Sequence, residues 1–143
     1  MLMGEYKHNI DSKGRLIIPA KLREELGELF VLTRGLDACI FAYPLSTWEQ
    51  IQSKLKDLPL VKRQARAFTR FFYSAAVEVS VDKQGRVNIP QVLLDHAQIE
   101  KACQIVGVMD RVEIWSSDTW QAYQDELDDS FEDIAEELFD LGL

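Results

Sequence analysis

Cysteine is nearly absent: Cys39 and Cys103 are the only two in 143 residues, far apart and outside any CxxC spacing. Two buried thiols are therefore expected rather than a disulfide framework or a thiolate metal site. Seven glycines and four prolines are too few for a collagen-like or disordered chain, and 47% hydrophobic residues argue for a packed core. No apolar run approaches the ~18 residues that a membrane span requires. The opening run MLMGEYKHNID lacks the apolar stretch of a signal peptide, so a cytoplasmic location is expected. Catalytic signatures are missing too. There is no GxSxG, HExxH, Walker loop or GxGxxG after a strand, and no nucleophile stands beside an acid–base pair. His8 alternates with apolar positions and reads as a strand side chain, while His96 falls on a short helix and is expected to be solvated. Neither an enzyme nor a metal or organic cofactor is expected.

What the chain has instead is unevenly placed charge. The net charge of −8 argues against indiscriminate binding to nucleic acid. Residues 125–143, however, hold nine acids and no base, leaving 16 bases against 15 acids in residues 1–124. Two stretches of that body are basic: residues 1–23, with five bases and two acids, and residues 54–70, with six bases and one acid. A locally basic face on an acidic protein is thus available.

The chain also repeats itself. DSKGRLIIP at Asp11–Pro19 returns as DKQGRVNIP at Asp82–Pro90, an offset of 71. After the next helix the match resumes at an offset of 72, pairing Gly35 with Gly107 and Thr47-Trp48 with Thr119-Trp120. Each copy reads as an alternating strand, an Asp-x-x-Gly turn, a returning strand, a short helix after proline, two further strands and a closing helix. In the turn the Asp11 or Asp82 carboxylate can accept backbone amides, and Gly14 or Gly85 can take positive φ. Leu16/Val87 and Ile18/Ile89 face one way, with Arg15 and Arg86 facing the other. Ser46-Thr47-Trp48-Glu49 and Asp118-Thr119-Trp120-Gln121 have capping-box form at the closing helices. A third helix over about Leu60–Tyr73 carries an apolar stripe (Val61, Ala65, Phe68, Phe72) and a basic one (Lys62, Arg63, Arg66, Arg70). Beyond Tyr123 the chain reads as helical and acidic, with Phe131, Ile134, Leu138 and Phe139 as a narrow apolar edge.

The duplicated arginine admits two readings. Arg15 and Arg86 can form ion pairs with Asp11 and Asp82 four residues back. Equally, a guanidinium beside a hairpin turn can make two parallel hydrogen bonds to phosphate or guanine. Two copies related by an internal two-fold favour the second, because a two-fold protein matches a two-fold groove. Lys13 and Lys83 lie in the same turns, with Lys7, Lys21 and Arg23 nearby in the first copy. The 62–70 stripe is available to phosphate, to solvent or to another subunit.

The run DSKGRLIIPAKLREELG resembles the N-terminal motif of AbrB-like, swapped-hairpin DNA-binding domains. Two such motifs in one chain, with GEYKHNIDSKGR, VLTRGLDACIFAY, AVEVSVDKQGRVNIP and SFEDIAEEL, resemble the MraZ family of bacterial transcriptional regulators. The resemblance implies an α+β, β-rich fold, an internally duplicated swapped-hairpin β-barrel with flanking helices. Its parts would be an AbrB-like repeat at 1–48, a helical connector at 49–75, a second repeat at 76–120 and an acidic helical segment at 121–143. It implies a nucleoid-associated homo-oligomeric ring on double-stranded DNA. The ring would bind repeated promoter boxes ahead of the division and cell-wall gene cluster that begins with the protein's own gene, usually as a repressor. Arg15 and Arg86 would then be the leading DNA contacts, with Asp11 and Asp82 holding the turns. Arg23 matches a basic position of the motif, but its counterpart is Leu94, so the two halves are expected to contribute unequally. An antitoxin-like protein-interaction module is the alternative.

Overall fold

The computed structural model describes residues 1–142. The first repeat runs β1 (Leu2–Asn9), β2 (Arg15–Ile17), α1 (Ala20–Leu26), β3 (Leu29–Arg34), β4 (Ile40–Pro44), α2 (Leu45–Lys56) and α3 (Arg63–Ser74). The second follows the same order: β5 (Val77–Ser80), β6 (Arg86–Asn88), α4 (Gln91–His96), β7 (Ala102–Met109), β8 (Arg111–Ser116), α5 (Ser117–Asp128) and α6 (Phe131–Asp140). The protein is α+β, with one six-stranded antiparallel sheet and a separate two-stranded ribbon among the described residues.

The repeats do not fold side by side; they trade strands. The sheet order is β1-β7-β8-β4-β3-β5, so the opening strand of each repeat pairs with a strand of the other. The ribbon is β2 with β6, again one strand from each. Equivalent residues face each other at Leu16↔Val87 in the ribbon and at Phe41↔Glu113 between β4 and β8. A pseudo-two-fold axis therefore passes through both pairs. Hydrophobic alternation accounts for the arrangement: each strand has one apolar row, and the exchange puts those rows around a shared centre. The centre holds Leu16, Ile18, Leu22, Phe30, Leu32, Ile40, Val87, Leu93, Ile105, Val112 and Ile114. A second cluster lies on the outer face of the sheet, where Val31, Phe41, Tyr43 and Trp115 are covered by Trp48 of α2, Phe72 of α3 and side chains of α5. The sheet thus separates the ribbon from α2, α3 and α5.

Both cysteines are free and buried. Burial pushes the Cys103 thiol up to about 11, and Cys39 higher still, so neither is poised as a nucleophile.

Several local expectations are corrected. The strand register puts Leu32 and Ile105 in equivalent places, so two residues are added before β7 and one is removed in the following hairpin. A single insertion does not describe the repeat. The capping boxes do not form. Both closing helices start earlier, after Pro44 and Ser116, and neither makes a side-chain cap hydrogen bond. There the chain leaves a strand straight into the helix, and the strand rather than a serine fixes its direction. The third helix begins only at Arg63, leaving Val61 exposed outside its apolar stripe. His96 is only partly solvated: its Nε2 lies 3.0 Å from the Gly35 carbonyl oxygen and its ring meets Phe71 edge-on. The acidic segment is two helices, broken at Asp129–Ser130.

Candidate nucleic-acid interface

The two hairpin turns are built alike, atom for atom. Asp11 Oδ1 accepts the backbone amides of Lys13 and Arg15, both at 2.9 Å, and Asp82 Oδ1 accepts those of Gln84 and Arg86 at the same distance. Gly14 and Gly85 close the turns at φ +78° and +77°, where a side chain would be strained. Their carbonyls then cross over: Gly85 accepts from the Ile18 amide and Gly14 from the Ile89 amide, each at 2.9 Å. Each turn is thereby tied to the other repeat's returning strand.

The second oxygen of each aspartate holds the arginine. Arg15 Nε donates to Asp11 Oδ2 at 2.7 Å, and Arg86 Nε donates to Asp82 Oδ2 at 2.9 Å. The ion-pair reading is therefore fulfilled, yet it does not displace the other one. A half-exposed pair of this kind adds little stability. What it does is fix a long side chain while occupying only Nε, and the Nη groups make no hydrogen bond among the described residues. Two Nη edges remain to meet a phosphate or a guanine.

Register decides what accompanies them. In the ribbon Arg15 stands opposite Asn88 and Ile17 opposite Arg86, so these four share the face turned away from Leu16 and Val87. A cleft of about 270 Å³ beside this face is lined by Arg15, Val79, Ser80, Asp82, Arg86 and Asn88. Asn88 is exposed, and an asparagine amide can accept from adenine N6 and donate to N7 in the major groove. Sequence reasoning passed over it. Comparing the repeats draws attention to identities, and here asparagine answers Ile17; the usable signal was its place two residues beyond Arg86 on an alternating strand.

The remaining basic residues divide. Lys13 and Lys83 are exposed in the two turns, and Lys21 is exposed on α1. Arg23 crosses between repeats: its guanidinium packs against Gly85 so closely that a Cβ there would lie 2.7 Å from Cζ. Its Nε is buried without a hydrogen-bond partner among the described residues. Lys7 lies on the outer row of β1, paired with Gln104 on the face that α5 covers, not on the ribbon. The Lys62–Arg70 stripe runs from the residue before α3 along that helix, also across the sheet from the ribbon.

The turn aspartates carry a pH signature. The Arg15 amide foremost, with the Arg15 side chain and the Lys13 amide, holds the Asp11 carboxyl below its ordinary 3.8 against the opposing effect of burial; Asp82 is lowered by the same partners in its turn. A carboxyl depressed in the folded state contributes stability above its unfolded pKa and loses it as pH falls through the folded one. Turn integrity is therefore expected to be complete at neutral pH and lost only below 3.8. Carboxyl-carbon NMR titration checks this, and midpoints at or above 3.8 would remove the aspartates as orienting groups.

No group of three or more His, Cys, Asp or Glu suited to a metal occurs among the described residues. No helix is long and apolar enough to cross a membrane among the described residues. What the fold defines is a duplicated swapped-hairpin protein with an arginine-bearing ribbon on its two-fold. The family model described as "MraZ protein, putative antitoxin-like" matches residues 1–71 and again 72–142. Over all 143 residues of both chains, the sequence is 57% identical to the Transcriptional regulator MraZ of Ligilactobacillus salivarius (strain UCC118). It is 60% identical to that of Thermoanaerobacter sp. (strain X514), again over the full length of both. The protein of the same name from Limosilactobacillus reuteri (strain DSM 20016) is 60% identical over 96% of this chain and 97% of its own. The chain belongs to the MraZ family, whose members named here are transcriptional regulators.

Proposed function

We propose that this chain is a sequence-specific DNA-binding transcriptional regulator that sets the β2–β6 ribbon against double-stranded DNA. One observation carries the reading: two arginines, each held by its aspartate through Nε alone, present free Nη edges on one ribbon face about a two-fold axis. A two-stranded ribbon is a shape the major groove admits. Lys13, Lys83, Lys21 and Arg23 add positive charge around the turns. In keeping with the family, several copies in a ring engage repeated boxes upstream of the protein's own gene and repress that cluster. Linked contacts strengthen one another, so box number and spacing matter more than any single site. Fluorescence anisotropy with that upstream DNA tests the proposal; absence of binding by the wild-type protein would overturn it.

The acidic segment faces away from DNA on this reading, since its carboxylates repel phosphate. A chain ending at Tyr123 is therefore expected to bind a duplex with one box at least as tightly as the full chain. Markedly weaker binding by the shortened chain to that duplex would place the segment at the DNA. The family description favours one other reading, a protein-binding, antitoxin-like module. Co-purification of a stoichiometric small protein, with no DNA binding, would support it.

A further inference from the structure

The four side chains on the outer face of the ribbon break its two-fold at one place. Arg15 and Arg86 exchange under the axis, but Ile17 exchanges with Asn88. Each arginine therefore has a different neighbour. Asn88 stands across from Arg15, and Ile17, which is 41% exposed, stands across from Arg86. The core does not account for that isoleucine, because Leu16 and Ile18 on either side of it are the ones that fill the core. Charge does not set the reading of the two ends either. Ser12 and Lys13 in one turn answer Lys83 and Gln84 in the other, so each turn carries one lysine. Arg23 adds a cation beside Gly85 at the second end, but attraction to phosphate positions a protein without reading bases.

Discrimination between bases thus falls to the ribbon side chains. In the major groove arginine suits guanine, asparagine suits adenine, and an apolar side chain suits the thymine methyl. Diagonal neighbours of an antiparallel pair lie about 7–8 Å apart, and bases along a strand are spaced about 3.4 Å, so both arginines fall within one short box. We infer that Asn88 and Ile17 are specificity-determining residues of the ribbon. Asn88 recognises an adenine beside the guanine that Arg15 meets, and Ile17 packs on the methyl group of a thymine beside the guanine that Arg86 meets. Each end then requires an A·T pair, but in opposite senses about the protein's two-fold, and Ile17 and Asn88 are what give the bound chain a direction. The inference deepens the proposed DNA-binding function and rests on it.

The probe is a pool of duplexes of randomised sequence, from which those bound by the full chain are sequenced. Wild type is expected to select guanines flanked by adenine at one end and by thymine at the other. Ile17→Asn makes the two ends alike and is expected to select adenine beside guanine at both. On the duplex that wild type selects, Asn88→Ile is expected to weaken binding roughly 5- to 150-fold. Combining Ile17→Asn with Asn88→Ile exchanges the two partners, so affinity for that duplex should return, with the protein docked the other way round. A merely structural role for either side chain would not be repaired by the exchange. Deoxyuridine in place of the selected thymine removes the methyl and needs no variant; it is expected to weaken wild type about fourfold and Ile17→Ala not at all. Both positions are exposed, and unchanged far-UV circular dichroism checks the fold of each variant. A wild type that binds no duplex would overturn the proposed function and the inference together. Guanines selected without the adenine and thymine, variants that select the wild-type bases, a combined variant no better than Asn88→Ile, or indifference of wild type to deoxyuridine would overturn the inference alone.

Discussion

Arg15→Ala or Arg86→Ala is expected to lower affinity for a duplex with one box by a factor of roughly 5 to 150, with the fold intact. That range corresponds to the about 1–3 kcal/mol that a bidentate arginine–guanine contact contributes to discrimination. Each substitution removes one of the two free Nη edges and leaves an aspartate still bonded to its turn amides, so Asp11 or Asp82 keeps the hairpin closed. A salt titration separates the two kinds of contact. If the arginine meets phosphate, the slope of log K against log[salt] should shrink by roughly 0.9 for each phosphate that the variant no longer neutralises. If it meets a base edge, affinity should fall at every salt concentration with little change of slope, and preference at one base pair should relax. On DNA with several boxes the weakening should compound across the copies engaged. Unchanged binding by both variants would leave the arginines as turn braces and transfer attention to the α3 stripe.

Gly107→Ala is expected to be the most damaging single-atom change in the sheet. Gly107 of β7 stands opposite Gly4 of β1, the strand borrowed from the first repeat. A Cβ at Gly107 would lie 2.7 Å from both the Leu2 carbonyl carbon and Met3 Cα, and closer still to the Met3 nitrogen. These are backbone atoms and cannot rotate away as a side chain could. The strand must lift, loosening Leu2 from the core beneath it. Overpacking in well-fitted interiors costs roughly 1–3 kcal/mol and occasionally more, and here the upper end is expected. Urea unfolding should show a lowered midpoint at similar m. At Gly14 the nearest atom to an added Cβ would be the Ile89 carbonyl oxygen at 3.5 Å, so Gly14→Ala should cost only the left-handed strain, about 1–2 kcal/mol. Equal destabilisation at the two positions would mean that β1 can shift without penalty.

The two glycines illustrate what was legible in the sequence and what was not. Gly14 sits in a turn whose logic is local: aspartate, glycine and arginine within five residues suffice to read the hairpin and both facing directions. The role of Gly107 depends on a strand just over a hundred residues earlier, and period-two alternation tells which face is buried without telling which strand lies alongside. For the same reason the trading of β1 and β5 came from family resemblance and not from residue arithmetic. His96 was misjudged because its partner, the Gly35 carbonyl, belongs to the other repeat. Ser46 and Asp118 had the right spacing for caps, but a preceding strand already set the direction of entry. At the candidate site the identical residues were readable, whereas Asn88 and Ile17, where the halves differ, became meaningful only through the ribbon register.

Strand trading also bears on how the chain is made. As synthesis proceeds at about 5–20 residues per second, β1 leaves the ribosome long before β7, the strand it must pair with. The first half therefore spends seconds with an unmatched edge, and the ribbon cannot close until β6 arrives. Such distant pairings slow folding and expose the nascent chain to chaperones. Joining the halves covalently limits the cost, because loop closure grows only with the logarithm of length. Two separate half-chains would come apart on dilution; in the joined chain, no dilution can part Arg15 from Arg86.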